Sequence, residues 1–317
     1  MQQLFKFFFL LFLTALQGAY AAGFPDKPVT IVVPFAAGGS SDMIARLVGG
    51  ELSKKWGQPV IIEIKPGGQT VIATNQVAKA RPDGYTILFN SFALITNQLL
   101  MNDLPYRTSD LTPVTLLGKY PLALLVRGDL PANNLQELIT YAKSAKKPLS
   151  FGNAGMGSSM QIAALDFASQ TGINIIEVPY KGSIAAMNEV MGGQIDAVFE
   201  GQAFKQYADG QRAKALFIAQ ADRKDGWDVP SATEAGMKDF AFAAWFGFML
   251  PPSTPQDIAT KISTDVGEIL KRPDVRQRLS DVGLVAEGMT PQAYSAYLTA
   301  EYDKLKKLLT KSGAIKP

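Results

Sequence analysis

The chain has 317 residues, 47% hydrophobic and 19% charged, a balance that fits one large or two ordinary globular domains and excludes a disordered chain. Lysine plus arginine number 31 against 28 aspartate plus glutamate, a net charge of +3 with no basic block, so the electrostatic footprint of nucleic-acid binding is missing. Histidine and cysteine are both absent, which excludes disulfides, thiolate nucleophiles, HExxH or cysteine-ligated zinc sites and Ser-His-Asp triads.

Residues 1–21 open with a short segment whose one basic side chain is Lys6, continue through an apolar run from Phe7 to Leu16, and close on Ala19-Tyr20-Ala21. These are the three parts of a secretory signal peptide, cleaved after Ala21, and they predict a periplasmic protein. The apolar run falls short of the roughly 20 residues that span a bilayer, which argues against a retained anchor.

In the mature chain, residues 29–34 form a β-branched run of the kind that makes a strand buried on both faces of a parallel sheet. A loop over 35–42 follows, then a helix to about Trp56 with Met43, Ile44, Leu47, Val48 and Leu52 on one face. Residues 60–64 read as a strand, Pro66-Gly67-Gly68 as a turn, 71–79 as a helix and 85–90 as a third strand. The order restarts with a strand at 122–126, a helix at 135–145, a strand at 149–151, a second loop at 152–159 and a helix at 160–170. Strands at 173–178, 196–199, 213–219 and 243–250 follow, with a helix at 184–191 between the first two and helices at 256–270, 274–282 and 291–309 at the end. This is the pattern of an α/β fold with parallel sheets. We divide it into residues 22–122 and 243–317 as one lobe and 123–242 as the other. The absence of a Ser/Gly-rich linker predicts that strands crossing between the lobes serve as the hinge.

Both marked loops join a strand end to a helix start. Ala36-Ala37-Gly38-Gly39-Ser40-Ser41-Asp42 is the first, and Gly152-Asn-Ala-Gly-Met-Gly-Ser-Ser159 the second. Helix starts expose unpaired N–H groups and attract anions, and in open α/β sheets ligands bind at strand carboxyl ends. Neither loop has the lysine of a P-loop or the spacing of a dinucleotide fingerprint, so a small carboxylate suits them better than a nucleotide. The competing reading is structural: a tight Gly-Gly turn, with Ser41 or Asp42 and Ser158 as N-caps. Weaker polar candidates are Asn90 and Ser91 at the end of the third strand, Tyr180 after the strand at 173–178, and Glu200 after the strand at 196–199. For each, capping, surface packing or a solvated charge is the alternative. Lys304, Lys306, Lys307 and Lys311 read as the wet face of a terminal helix, and Phe246 and Phe248 as core.

Phe24-Pro-Asp-Lys-Pro28, Val33-Pro-Phe-Ala-Ala-Gly-Gly39 with Asp42, Pro82-Asp-Gly-Tyr-Thr86, Phe151-Gly-Asn-Ala-Gly-Met-Gly-Ser158, Val178-Pro-Tyr-Lys-Gly182, Met191-Gly-Gly-Gln-Ile-Asp196 and Trp245-Phe-Gly247 resemble the solute receptors of tripartite tricarboxylate transporters, the Bordetella uptake gene family. The resemblance covers essentially all of 24–317. It implies a type II periplasmic binding protein fold of two lobes closing on a small organic acid, mono-, di- or tricarboxylate, for delivery to membrane transporter subunits. It implies that the loop containing Phe35, Ala37, Gly38, Gly39, Ser41 and Asp42 holds one carboxylate, partly through water, and that Gly155, Ser158 and Ser159 approach from the other lobe. Gln161 stands where the family often carries histidine, Glu200 where aspartate is common, and Gln69-Thr-Val-Ile-Ala73 where a Gly-Asn-Ile-Gly type loop is usual. No catalytic residue, metal or cofactor is expected, and a monomer is. The rival readings are an exported sensor presenting its ligand to a membrane kinase, and an exported enzyme using Asp42 or Glu200 as a base.

Overall fold

The computed structural model describes residues 23–201, 212–223 and 228–316. The expected leader, residues 1–21, lies outside the described residues.

Strand β1 (Val29–Val33), helix α1 (Ser40–Trp56), β2 (Val60–Ile64), α2 (Val71–Ala78) and β3 (Thr86–Ser91) build a parallel unit in which β1 lies between the other two strands. Its centre is dry: Val29, Ile31, Val32 and Val33 are buried, as a β-branched run covered on both faces should be. Ile44, Ala45, Val48 and Leu52 of α1 close one face of it. Helix α3 (Ala93–Leu100) follows β3 almost at once and buries Leu94 and Ile95; the sequence pattern did not mark it.

The chain then enters β4 (Thr112–Arg127), a strand of 16 residues. Beyond it come α4 (Leu135–Ser144), β5 (Leu149–Asn153), α5 (Ser159–Thr171), β6 (Ile175–Pro179), α6 (Ser183–Met191), β7 (Ala197–Gly201) and β8 (Ala213–Ile218). The last part contains β9 (Ala243–Leu250), α7 (Gln256–Lys271), α8 (Pro273–Asp281), the short β10 (Val285–Ala286) and α9 (Pro291–Lys311). The strand order is β2-β1-β3-β9-β4-β7-β5-β6, with β8 and β10 also on β4.

β4 is where the two strand groups meet. Its residues up to Pro121 pair antiparallel with β9, and from Leu122 onward they pair with β7. Proline has no N–H to give a ladder, so Pro121 is a natural place for a strand to change partners. The sequence marked only 122–126 of this strand. Pro113, Gly118 and Pro121 break the alternation of its first half, and the ladder to β9 shifts register beside Pro113 and Gly118.

Each strand group has its own aromatic core. Phe151, Phe167, Phe199, Phe217 and Phe240 pack with ring centroids 5.6–6.2 Å apart on the β5–β7 side. On the β3–β9 side, Phe89, Phe246 and Phe248 pack together, and Trp245 meets Tyr294 and Tyr297 of α9. The last helix, α9, therefore closes on the strands of the first unit.

Candidate functional site

The first glycine loop leaves the carboxyl end of β1, and the second leaves the carboxyl end of β5. β6 and β7 both run parallel to β5, so the start of α6 and the Glu200-Gly201 end of β7 belong to the same edge as the second loop. Tyr120, beside the changeover in β4, ties the edges together. Its hydroxyl shares a hydrogen bond of 2.8 Å with Ser40 of the first loop. Its ring lies directly over Gly201, where a Cβ would collide with it, so only glycine fits there.

The first loop is closed by its own aspartate. Gly38 has φ +85°, and its amide donates to Asp42 Oδ2 at 2.9 Å. Asp42 is buried, and Arg46 Nε sits 2.7 Å from its other oxygen, so its charge is balanced within the helix. The Gly38 amide and the Asp42 carboxylate, both expected to meet a ligand, are thus engaged with each other. The opening lies one residue later. Gly39 is the N-cap of α1 in extended conformation, no side chain caps the helix start, and the nearest atom to a Cβ placed there is Ala36 O at 3.9 Å. The first-turn amides, Ser41 among them, have no carbonyl one turn back to receive them and remain donors. Ala37 is exposed, and Phe35 is half-buried with its ring edge-on to Phe246.

The second loop is braced more fully. The Gly155 amide donates to Asn153 Oδ1 at 2.9 Å, and the Gly157 amide to Gln161 Oε1 at 2.6 Å. Ser158 is the N-cap of α5, its Oγ accepting the Gln161 amide, while Gln161 Nε2 donates to Glu177 at 2.8 Å. Ser159 opens the helix, half-buried. Thr96 of α3 donates to the Gly157 carbonyl at 2.6 Å, so the first unit already touches this loop. Ser158 and Gln161 therefore do the structural work that the capping reading gave Ser158. Among the described residues, the uncapped helix start on this side is that of α6, behind Gly182 with φ +115° and no side-chain cap. Tyr180 precedes it, half-buried; burial, with Glu189 nearby, pushes its phenol up.

Two candidates at the end of β3 belong elsewhere. Asn90 is buried and donates from Nδ2 to the Tyr294 hydroxyl at 2.9 Å, which in turn lies 3.0 Å from its Oδ1. This is a correction: the Asn90 amide serves the packing of α9 on the sheet, not the loops. Ser91 Oγ accepts the Ala93 amide at the start of α3, a capping role. Glu200 does reach the seam at β4. It is 3% exposed, its Oε1 accepts the Gly201 amide at 2.8 Å, and burial pushes its carboxyl up to about 7. The Gly201 amide and the Ser183 and Tyr120 hydroxyls hold that value down. Thr96, Tyr120 and Ser183 were not singled out in the sequence, because their roles come from contacts distant along the chain. Among the described residues, no cluster of His, Cys, Asp or Glu can hold a metal ion, and no helix is long and apolar enough to cross a membrane.

A family model described as the tripartite tricarboxylate transporter family receptor matches residues 44–314. A UPF0065 protein of Bordetella pertussis is 36% identical over 80% of this chain and 79% of its own length. Among solved structures, Rpa4515 of R. palustris with adipate superposes at a TM-score of 0.87, with 30% identity over 92% of this chain and 98% of its own. MatC of Rhodopseudomonas palustris with bound malate superposes at 0.82, with 33% identity over 90% of this chain and 100% of its own.

Proposed function

Because the chain belongs to the tripartite tricarboxylate transporter family of receptors and superposes over nearly its whole length on acid-bound solved structures, we propose that it captures a small organic carboxylate at the seam along β4 and delivers it to a membrane transporter. The observation that carries this reading is the pair of uncapped helix starts, α1 behind Gly39 and α6 behind Gly182, one on each side of β4. Two such starts offer N–H donors and positive helix ends to one anion without any lysine or arginine. The adipate and malate in the neighbouring structures are small carboxylates of the size such a site suits.

In this reading residues 22–122 with 243–317 form one lobe and 123–242 the other. Phe35, Ala37, Gly39, Ser41 and Ser159 line the ligand with Tyr180 and Glu200, while Gly38, Asp42, Gly155, Ser158 and Gln161 shape the loops. The protein is exported, cut after Ala21, and binds without turning its ligand over. A thermal-shift screen of mono-, di- and tricarboxylates and aromatic acids tests the proposal, since binding to the folded state raises apparent stability. Calorimetry with the best acid and its amide follows: equal affinity for the two refutes an anion site. Acid recovered unchanged after incubation with excess protein separates receptor from enzyme, and intact mass from an exporting host checks the cleavage.

A further inference from the structure

Among the described residues, seven buried side-chain polar atoms have no hydrogen-bond partner, and Glu200 brings one of them to the end of β7, against β4. Glu200 Oε1 is satisfied by the Gly201 amide, but its Oε2 is buried with no hydrogen-bond partner. Buried carboxyl oxygens are ordinarily satisfied, so such an atom at a strand end calls for a group that arrives later. The Tyr120 hydroxyl from β4 and the Ser183 hydroxyl from the start of α6 lie close enough to favour the ionised carboxyl, but neither completes a hydrogen bond to Oε2. The charged groups on the elements packed around it, Glu189 apart, are engaged elsewhere. On β4, Lys119 pairs with Glu287 and Arg127 with Asp129 and Asp196. Asp166 of α5 accepts from Gln170, with Lys304 and Lys311 nearby, and Glu189 of α6 lies near Tyr180. Lys214 of β8 donates to the Leu130 carbonyl, and Asp42 of α1 is held by Arg46. Glu200 thus shares its surroundings with hydroxyls and helix starts. An ionised carboxylate there would repel an anion held by the same helix starts, whereas a protonated one is a hydrogen-bond donor.

We propose that Glu200 is a proton-carrying contact of the ligand: its uncharged carboxyl donates from Oε2 to an acceptor oxygen, a second carboxylate or a carbonyl, of the bound acid. Capture by protein in which Glu200 is ionised then draws one proton from water or buffer onto Oε2, and no covalent bond to the ligand forms. This deepens the carboxylate reading of the seam and rests on it. Burial already favours the uncharged form near neutrality. Affinity should hold below the point where Glu200 ionises and fall by roughly tenfold per pH unit above it, the slope for one linked proton.

The test is calorimetry with acetate, malate, adipate, citrate and benzoate from about pH 6 to about pH 9, where every carboxyl but the last of citrate stays largely ionised. The tightest binder is then measured in two buffers of different ionisation enthalpy. Wild type should lose affinity across the range and take up close to one proton per ligand at the alkaline end. Glu200→Gln, which keeps the shape and a donor, should bind with a flat profile and no Glu200-linked uptake. Tyr120→Phe removes a hydroxyl that stabilises the ionised form, so its loss of affinity should begin at higher pH. Binding with the same pH profile in wild type and Glu200→Gln overturns the inference and leaves the receptor reading standing. No binding of any of the five acids to either protein at the acidic end overturns both. If Glu200→Gln does not fold, an onset in Tyr120→Phe that coincides with wild type overturns the inference on its own.

Discussion

The assignment of Asn90 to the packing of α9 leads to a double-mutant cycle with Tyr294. Asn90 is 2% exposed, Tyr294 is fully buried, and one hydroxyl serves both ends of the Asn90 amide. Tyr294→Phe removes that oxygen and leaves a buried N–H and carbonyl without it. At about 1–3 kcal/mol for each of the two groups left unsatisfied, the cost should be about 2–6 kcal/mol. Asn90→Ala strands the buried hydroxyl and opens a small cavity, for about 2–3 kcal/mol. The double variant leaves no unpaired polar atom from this pair, so it should be about 1–2 kcal/mol more stable than the sum of the singles predicts. Urea unfolding of the four proteins, read as shifts in midpoint at constant slope, measures this. Additivity within about 0.5 kcal/mol would refute the coupling. A folded Asn90→Ala that loses its acid would refute the assignment outright and return Asn90 to the site.

Gly39→Val puts its side chain into the open space before α1, where φ is −82° and no atom lies closer to the added Cβ than 3.9 Å. Stability should change by about 1 kcal/mol or less while acid binding is lost, and unchanged affinity in calorimetry would move the site away from α1. Ser158→Ala removes the N-cap of α5 and should cost about 1 kcal/mol in denaturant unfolding; a neutral result would mean that Gln161 alone holds the loop. Glu200 makes ligand-free stability depend on pH: its folded-state value, raised from 4.5 to about 7, keeps a proton that the unfolded chain gives up earlier. Its stabilising contribution is full below the unfolded value and is lost as pH rises through about 7, by up to about 3 kcal/mol. Relative to wild type, Glu200→Gln should gain that amount over the same window, and parallel stability–pH curves would contradict the raised value.

The parallel units were legible because their signals are local. Val29, Ile31, Val32 and Val33 announce a doubly covered strand, and the alternation of such runs with helical periodicity fixes the layer order. Gly38, Gly155 and Gly157 all adopt positive φ, so the glycines did mark special backbone. What the sequence could not give was the use of each loop's donors. Asp42 reaches back to the Gly38 amide, and Gln161 reaches back to the Gly157 amide, each with its side chain four residues ahead. The same spacing is equally compatible with a side chain facing a ligand. β4 was half hidden for another reason: its first part owes its existence to pairing with β9, more than a hundred residues further on, and local propensity carries little of that.

Asn90 and Glu200 show why burial alone does not identify a site. Both are polar, both lie near the carboxyl end of a strand, and both are almost fully buried. In sequence they invite the same reading. The difference is whether the fold completes them. Across from Asn90, β9 presents Gly247, whose missing side chain leaves room for the Tyr294 hydroxyl to reach the amide. Every polar atom of that amide side chain then has a partner, and nothing is left for a ligand. Beside Glu200, Gly201 makes the corresponding room, but the ring that fills it is Tyr120, whose hydroxyl is shared with Ser40 across the seam. One carboxyl oxygen is satisfied by the backbone and the other is left buried and unmatched. A core group in that state would be a net cost with no return. At the meeting of two strand groups, beside an uncapped helix start, the same cost keeps a donor ready for a ligand that supplies the missing acceptor.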